Sequence, residues 1–345
     1  MTQEQINVAE KAHIYSFRSG GARGNTDVAT GHLHDLSNLM LVCRACHRKI
    51  DRRRDGGRYT VSLLQQMKAV HERRIEVASA IAPEKSSHVL LYGANIGDHS
   101  SPLNYAEAAS ALFPHRYPAA DRAIELSVHN SSFCERDHSF WRNEAFELRR
   151  KFDRQVRLRS AGGEIRHLSV FALAPQPLLI LLGNLLGDIV PCDVYQRHRE
   201  PTTWEWPQDS ETPSFRLRRP DCIEGPAALV FEVSATVGVE RIREVLCESV
   251  SIWSIGVASA HNDVVKSRRQ KAEFRALVRT ALDQIKTAHG QGESLHVFPA
   301  MPVSLAVEAG RVRMPKADMP WIVYDQVDPR GGFVAALTIP EGGGE

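Results

Sequence analysis

Long apolar runs are missing from this 345-residue chain. The most apolar stretch, Leu168 to Val190, is interrupted by Pro175, Gln176, Pro177, Gly183, Asn184 and Asp188, which a membrane span tolerates poorly. It predicts a buried strand, a turn and a core helix, and no membrane partner. The first residues are polar and lack the apolar segment of an export signal. Cysteine is sparse: Cys134, Cys192, Cys222 and Cys247 are scattered without paired spacing. That excludes a disulfide scaffold and predicts the reducing cytoplasm. No Gly-x-Gly-x-x-Gly loop and no Gly-Lys-Ser/Thr phosphate loop occurs, so a metabolic nucleotide-binding enzyme has no fingerprint here. Gly20-Gly21-Ala22-Arg23-Gly24 precedes no Rossmann helix and is expected to be a mobile loop.

Apolar residues make up 43% of the chain, ample for packed cores, and the length predicts two or three domains. The chemistry-bearing residues crowd into one stretch, from Ala12 to Asp51. His13 lies on the strand-like Ala12-His13-Ile14-Tyr15. Asn38 stands in the turn before the apolar Leu39-Met40-Leu41-Val42. His47 opens His47-Arg48-Lys49-Ile50-Asp51, which can run as helix. Positions four apart share a helix face, so His47 and Asp51 can grip one hard or borderline cation together. A neutral histidine such as His13 suits the activation of water near pH 7. The amide of Asn38 both donates and accepts, so it can hold the turn and set the tilt of His13. A divalent ion would neutralise a crowded phosphate and stabilise its leaving oxygen. This is the residue set of a one-metal phosphodiesterase. Cys43-x-x-Cys46 is a separate signal, half of a tetrahedral zinc site.

Charge agrees with a nucleic-acid substrate. Residues 44–58 hold seven basic side chains, Arg44, Arg48, Lys49, Arg52, Arg53, Arg54 and Arg58, against Asp51 and Asp55. The net of +5 there exceeds the +2 of the whole chain, so the basic character is concentrated. Phosphate neutralisation of this kind is independent of base sequence. Arg44, Arg48, Lys49, Arg52 and Arg53 are the expected DNA contacts.

The order of these residues resembles an HNH nuclease of ββα-metal type. The resemblance implies His13 as general base, Asn38 as the hairpin asparagine and His47 as a ligand of Mg²⁺ or Mn²⁺, with Asp51 as the second ligand. Two features depart from it. Ala12 stands where many members carry a further ligand, and the first cysteine pair of a structural Zn²⁺ site is absent, which points to a truncated start or a lost zinc knuckle.

After a helix over Val61–Ala80, a linker is expected over 81–87. Beyond it, apolar strand-like runs alternate with helix-like ones. The strands are Val89–Tyr92, Ala123–Val128, Leu168–Leu173, Leu229–Val233, Ile252–Val257, Leu295–Phe298 and Trp321–Tyr324. The helices are Asn104–Leu112, Phe140–Arg159, Leu178–Leu186, Val239–Leu246 and Val264–Ala288. Such alternation predicts mostly parallel sheet covered on both faces, in two halves near 88–195 and 225–330. Ligands of such sheets sit beyond the strands' carboxyl ends. Candidate groups there are Ser234, Ser259 and Lys266, with Pro299 and Arg199. Trp204 and Trp206 alternate and can share one face of a strand as a stacking surface for bases; core packing is the alternative.

His296–Pro302, Ala306–Arg311 and Pro320–Asp325 resemble the closing segment of a SAVED domain, and Leu168–Asp188 with Arg199–Trp206 are similar to its middle. The resemblance implies two fused Rossmann/CARF-like halves over residues 88–345 that bind a cyclic di- or oligonucleotide second messenger. The expected architecture is an α+β ββα-metal domain over 1–80 followed by this α/β domain, the layout of HNH–SAVED effectors of CBASS anti-phage signalling. It implies cleavage of double-stranded DNA with low sequence specificity and a ligand-induced homo-oligomer. The competing expectation is a non-catalytic, ligand-responsive nucleic-acid binder with a degenerate zinc knuckle.

Overall fold

A short hairpin and a helix open the chain. In the computed structural model, β1 (Ala9–His13) runs antiparallel to β2 (Leu39–Cys43), with Ala12 opposite Met40 and His13 opposite Leu39. α1 (Arg44–Ile50) follows β2 at once, and α2 (Val61–Ser79) begins at Thr60, whose hydroxyl caps the Leu63 N–H at 3.2 Å. Side chains alternate along a strand, so Ala12 turns inward to join Ile14, Ile50 and Leu64 in a small core. The structure describes residues 9–18, 20–24, 32–52, 58–96, 103–127, 139–207, 214–326 and 332–340. The chain divides into two compact units, Met1–Ala82 and Pro83–Glu345.

The larger unit holds two sheets. The first is built from β3 (Ser86–Gly93), β4 (Tyr117–Pro118), β5 (Ile124–Glu125), β6 (Leu168–Leu173) and β7 (Cys192–Val194). β4, β3, β6 and β7 lie in that order, β5 also pairs with β3, and every pairing is parallel. β3 starts at Ser86, inside the stretch expected as linker. α3 (Tyr105–Ala111), α4 (Phe140–Phe152), α5 (Leu158–Ala161) and α6 (Gln176–Leu186) lie between or after these strands. The expected single helix over Phe140–Arg159 is present as one continuous run, α4 passing into α5 through a π-helical turn at Asp153–Arg157. β8 (His198–Arg199) and β9 (Thr202–Thr203) form a separate hairpin.

The second sheet has the order β10 (Arg216–Arg218), β12 (Ser251–Gly256), β11 (Ala227–Glu232), β13 (Leu295–Ala300), β14 (Trp321–Asp325) and β15 (Val334–Ile339). Its four inner strands are parallel, and β10 and β15 are antiparallel edges. α7 (Val239–Val245), α8 (Arg268–His289) and α9 (Val303–Val312) complete the unit.

The two sheets are joined by α6 and α9. Nine of the eleven residues of α6 are buried, as befits a helix apolar all round. Pro175–Leu186 and Pro302–Arg313 repeat one another in register. Leu168, Val170, Phe171, Pro175, Leu178 and Gly183 recur, each 127 residues on, as Leu295, Val297, Phe298, Pro302, Leu305 and Gly310. The contacts repeat with them. A Cβ on Gly183 would lie 1.9 Å from the Val307 carbonyl oxygen, and one on Gly310 would lie 2.0 Å from that of Ile180. Ile180 and Val307 are themselves 127 apart. Two equivalent strand–helix units thus cross backbone to backbone, and only glycine admits that approach.

Candidate functional site

The smaller unit gathers the residues around His13. Asn38 is buried at 6% exposure. Its Oδ1 accepts the Tyr15 N–H at 2.7 Å, and its Nδ2 donates to the carbonyls of Leu33 (2.8 Å) and Tyr15 (3.2 Å). The Ile14 N–H in turn donates to the Asn38 carbonyl. The asparagine therefore fixes the chain just after His13 from both sides. The His13 ring packs edge-on against His34, centroids 5.4 Å apart, with Nε2 3.5 Å from His34 Nδ1. Partial burial lowers the His13 pKa first; His34 and His47 lower it further, and Asp51 opposes them. His13, His34, His47 and Asp51 thus share one local field, which keeps the His13 imidazole neutral near pH 7.

His47 stands between two carboxylates. Its Nδ1 meets Glu10 Oε2 at 2.9 Å, and its Nε2 faces Asp51 Oδ2 at 3.4 Å. A carboxylate accepts, so Nδ1 carries a proton toward Glu10. In the neutral ring, Nε2 then points a lone pair at an oxygen that also only accepts. A proton or a cation must bridge such a pair. A histidine oriented by a carboxylate through its other nitrogen is a common metal-ligand arrangement, and Mg²⁺ needs only one or two side-chain ligands beside water. His47 and Asp51 therefore fit the implied ion as a two-donor site. Among the described residues no group of three or more His, Cys, Asp or Glu is placed to hold a metal.

Arg23 completes this arrangement. Its side chain is 5% exposed and donates to the carbonyls of Ile14 (2.8 Å), Ile50 (2.6 Å) and His13 (3.3 Å) and to Asp51 Oδ1 (2.8 Å). The expected mobile loop is instead an ordered turn. Gly24 bridges Ser16, Arg23 adopts a φ of 57°, and a Cβ on Gly21 would strike Ser16 Oγ at 1.9 Å. Arg23 also occupies one oxygen of Asp51, leaving Oδ2 for His47.

Cys43 and Cys46 are exposed thiols. Cys43 stands at the N-cap position of α1; the backbone N–H and thiol of Cys46 lower its pKa, and the Cys43 sulfur in turn raises that of Cys46. No third or fourth zinc ligand joins them among the described residues, so this pair does not fit a structural zinc as it stands. Arg44, Arg48, Lys49 and Arg52 are exposed along and beyond α1; Arg44 lies 3.9 Å from Glu10. Arg53 falls outside the described residues.

In the larger unit the carboxyl ends of the strands converge. The Met301 N–H donates to Gln176 Oε1 at 3.1 Å, and Gln196 Oε1 accepts from the Ser304 hydroxyl (2.7 Å) and N–H. The Ser234 N–H donates to the Ala300 carbonyl at 2.8 Å, and the His261 N–H to that of Val233. Pro299 sits on β13 opposite Phe231. Ser259 is exposed in the loop after β12. This rim brings Ser234, Ser259 and Pro299 to one end of the second sheet, beside the start of α9.

Three expectations need correction here. Trp204 is 3% exposed, packed edge-on to Phe171 with centroids 5.1 Å apart. It is core, not a stacking surface. Trp206 does not share a strand with it, because β9 ends at Thr203; it lies half-buried against His198 and below the Lys271 ammonium. Lys266 is engaged by Asp263, whose other oxygen meets His198 Nδ1 at 3.2 Å. α7 begins at Val239, as expected, and α8 at Arg268, capped by Ser267. Arg199 is exposed and has no ion-pair partner among the described residues.

Sequence reasoning missed Glu10, Arg23 and His34. Glu10 shares the inward face of β1 with Ala12, a signal readable from alternation. His34 is an exposed loop residue whose ring reaches His13 only in the fold, and nothing in the sequence marks Arg23.

Two largely parallel α/β sheets joined through paired helices define a double Rossmann-like architecture. The family described as "SMODS-associated and fused to various effectors sensor domain", SAVED, matches residues 148–339, and the chain belongs to it. Among solved structures the chain is similar to the Acinetobacter baumannii Cap4 SAVED/CARF-domain containing receptor with the cyclic trinucleotide 2'3'3'-cAAA. The TM-score is 0.47 at 13% identity, over 82% of this chain and 56% of that one. It is also similar to the Moraxella osloensis Cap4 receptor, with a TM-score of 0.41 at 13% identity over 73% and 50%. The chain spans about half the length of these receptors. A search of curated proteins finds no match. No helix among the described residues is long and apolar enough to cross a membrane.

Proposed function

We propose that this chain is a cyclic-oligonucleotide sensor joined to a metal-dependent nuclease that cuts double-stranded DNA in anti-phage defence. Membership of the SAVED family supports the sensor. One observation carries the nuclease: a β-hairpin and helix bring a neutral His13, the buried Asn38 and the His47–Asp51 pair into one field. In this reading the His13 imidazole takes the proton of the attacking water. Asn38 holds the backbone that aims it. His47 and Asp51, steered by Glu10 and Arg23, hold a divalent ion, which when bound supplies charge neutralisation at the phosphate. The exposed Arg44, Arg48, Lys49 and Arg52 hold the DNA backbone. The messenger sits at the strand-end rim near Ser234, Ser259 and Pro299, with the exposed Arg199 as a phosphate partner. A ligand that binds an assembled state more tightly than the resting one would switch the nuclease on.

The test is plasmid cleavage by the purified chain with Mg²⁺ or Mn²⁺ and a panel of cyclic di- and trinucleotides. Cutting that appears with one ligand and vanishes in His13→Ala is the expected result. Ligand-dependent DNA binding that His13→Ala leaves intact, with no cutting by the unaltered chain, would replace the nuclease with the binder reading. Cutting indifferent to every ligand would reject the switch.

A further inference from the structure

The outer face of the second sheet carries a cleft of about 500 Å³ that neither the nuclease nor the messenger rim uses. It arises because the edge strand stops short. β10 pairs with β12 from Arg216 opposite Gly256 to Arg218 opposite Ser254, so Arg219 comes beside Trp253. α8 continues past the end of this ladder to His289. Thr280, Asp283, Gln284 and Thr287 face it from α8, with Trp253 and Arg219 across from them.

Two polar atoms of residues lining this cleft have no partner among the described residues. Trp253 is 4% exposed, and its indole Nε1 is buried without an acceptor. Gln284 Oε1 is buried without a donor. Buried polar groups are satisfied in nine cases of ten or more, and leaving one unmade costs about 1–3 kcal/mol. Here a donor and an acceptor are both orphaned on the lining of one cavity. The other polar groups are spoken for. The Thr280 and Thr287 hydroxyls donate to the carbonyls of Ala276 and Asp283, which turns their side chains into plain walls, and Asp283 is held by Arg279 at 2.7 Å. Arg219, exposed at the mouth, has no ion-pair partner among the described residues.

We propose that this cleft binds a nucleoside monophosphate. Its floor asks for a ligand edge that accepts one hydrogen bond and donates another, as a nucleobase does. Its mouth supplies a guanidinium for an anion, as a phosphate requires. The volume falls within the range of small-ligand sites. The site is separate from the strand-end rim and does not depend on the proposed nuclease or messenger.

The experiment follows the indole N–H of Trp253 in the full chain, labelled with ¹⁵N-tryptophan and assigned by Trp253→Phe. AMP, GMP, CMP and UMP are titrated singly to millimolar concentration. At least one should move the Trp253 resonance saturably while the indoles of Trp141 and Trp321 stay still. Gln284→Leu, which keeps the shape of a partly exposed helix residue, should weaken that binding about tenfold. Arg219→Ala should weaken the nucleotide and leave the matching nucleoside unchanged. A Trp253 resonance unmoved by all four, with an N–H exchanging rapidly with solvent, would show a water-filled notch and overturn the proposal. Movement that Gln284→Leu and Arg219→Ala both leave intact would overturn it equally.

Discussion

The two units bury themselves by different means. Among the described residues the smaller one encloses a core of four buried apolar side chains, Ala12, Ile14, Ile50 and Leu64, with Met40, Val42, Tyr59 and Val61 partly buried against them. A core that size supplies little stabilisation at about 25 cal/mol per Å², and small folds need other staples. Its staples are polar: Arg23 with four acceptors and Asn38 with three hydrogen bonds. Both grip the chain beside His13, so the bonds that hold the fold also hold the candidate site. The larger unit is held by a continuous apolar core running from Leu90 to Ile339, and its strand ends are left for ligands. Fold and site are therefore inseparable in one unit and separable in the other.

The largest expected effect tests that separation in the larger unit. Gly183→Ala or Gly310→Ala pushes a methyl to within about 2 Å of a carbonyl oxygen across the helix crossing. Overpacking against backbone should cost about 3–5 kcal/mol. Hydrogen exchange read peptide by peptide should show α6 and α9 losing protection together while residues 9–52 keep theirs. The double variant should cost less than the sum, because both methyls break one contact. Unchanged protection in either single variant would dissolve the crossing as the joint of the two halves.

Next in size is a buried charge. Glu308 is 1% exposed and sits among Arg311 (2.9 Å), Arg275 (3.4 Å) and Lys271 (3.7 Å). Glu308→Gln keeps the shape and strands three cations, at a cost of about 3 kcal/mol at pH 7. Burial has already pushed Lys271 down to about 8, against an unfolded value near 10.4. In the folded state its proton therefore leaves first, and stability rises with pH from about 8 upward. Denaturant unfolding should show the Glu308→Gln penalty shrinking at pH 9 relative to pH 7.

Arg23→Met addresses the smaller unit. It removes a buried fork and leaves three carbonyls and Asp51 Oδ1 without their donor, for about 2 kcal/mol. Residues 9–52 should lose protection and α6 should not, the reverse of the glycine pattern. Protection lost in both units would contradict the division drawn between them.

What could be read from the sequence follows the same division. The inner strands of both sheets were legible because they are short, nearly continuous apolar runs bounded by Gly, Pro or polar turns, as in Leu168–Leu173 and Leu229–Val233. α6 was legible for its run of leucines. α9 was not recognised as a helix: Pro302 and Gly310 look like breaks, and Glu308 and Arg311 look like surface until α8 is packed on them. The edge strand Arg216–Arg218 is too short and too charged to show periodicity. At the candidate site, His13, Asn38, His47 and Asp51 were legible by order along the chain. Arg23 was not, because its four acceptors come from segments up to 28 residues away and meet only after folding. Trp204 misled because alternation was taken for a strand, while directly after β9 the chain turns into the core.

The remaining prediction is a pH slope, and it falls on the larger unit. His167 is 8% exposed at its side chain and bonded through Nδ1 to Ser87 Oγ at 2.9 Å. Burial lowers its pKa to about 4, and Arg116 and Arg268 add to this against the pull of Asp193. An unfolded histidine takes its proton near 6.5. Between pH 6.5 and about 4 the unfolded chain therefore binds a proton that the folded one refuses, and stability falls as pH falls. The contribution is fully present above 6.5 and worth at most about 3 kcal/mol at the acid end. Asp193, with its carboxyl held low by these same cations, titrates below this window and does not share the slope. His167→Gln keeps an acceptor for Ser87 and cannot take the proton. Unfolding midpoints measured from pH 7 to pH 4.5 should fall less steeply in this variant than in the unaltered chain, with the difference confined to peptides of the larger unit. Equal slopes would mean that His167 is protonated in the folded protein, and that the polar layer of Ser87, Ser169 and Asp193 around it is open to water.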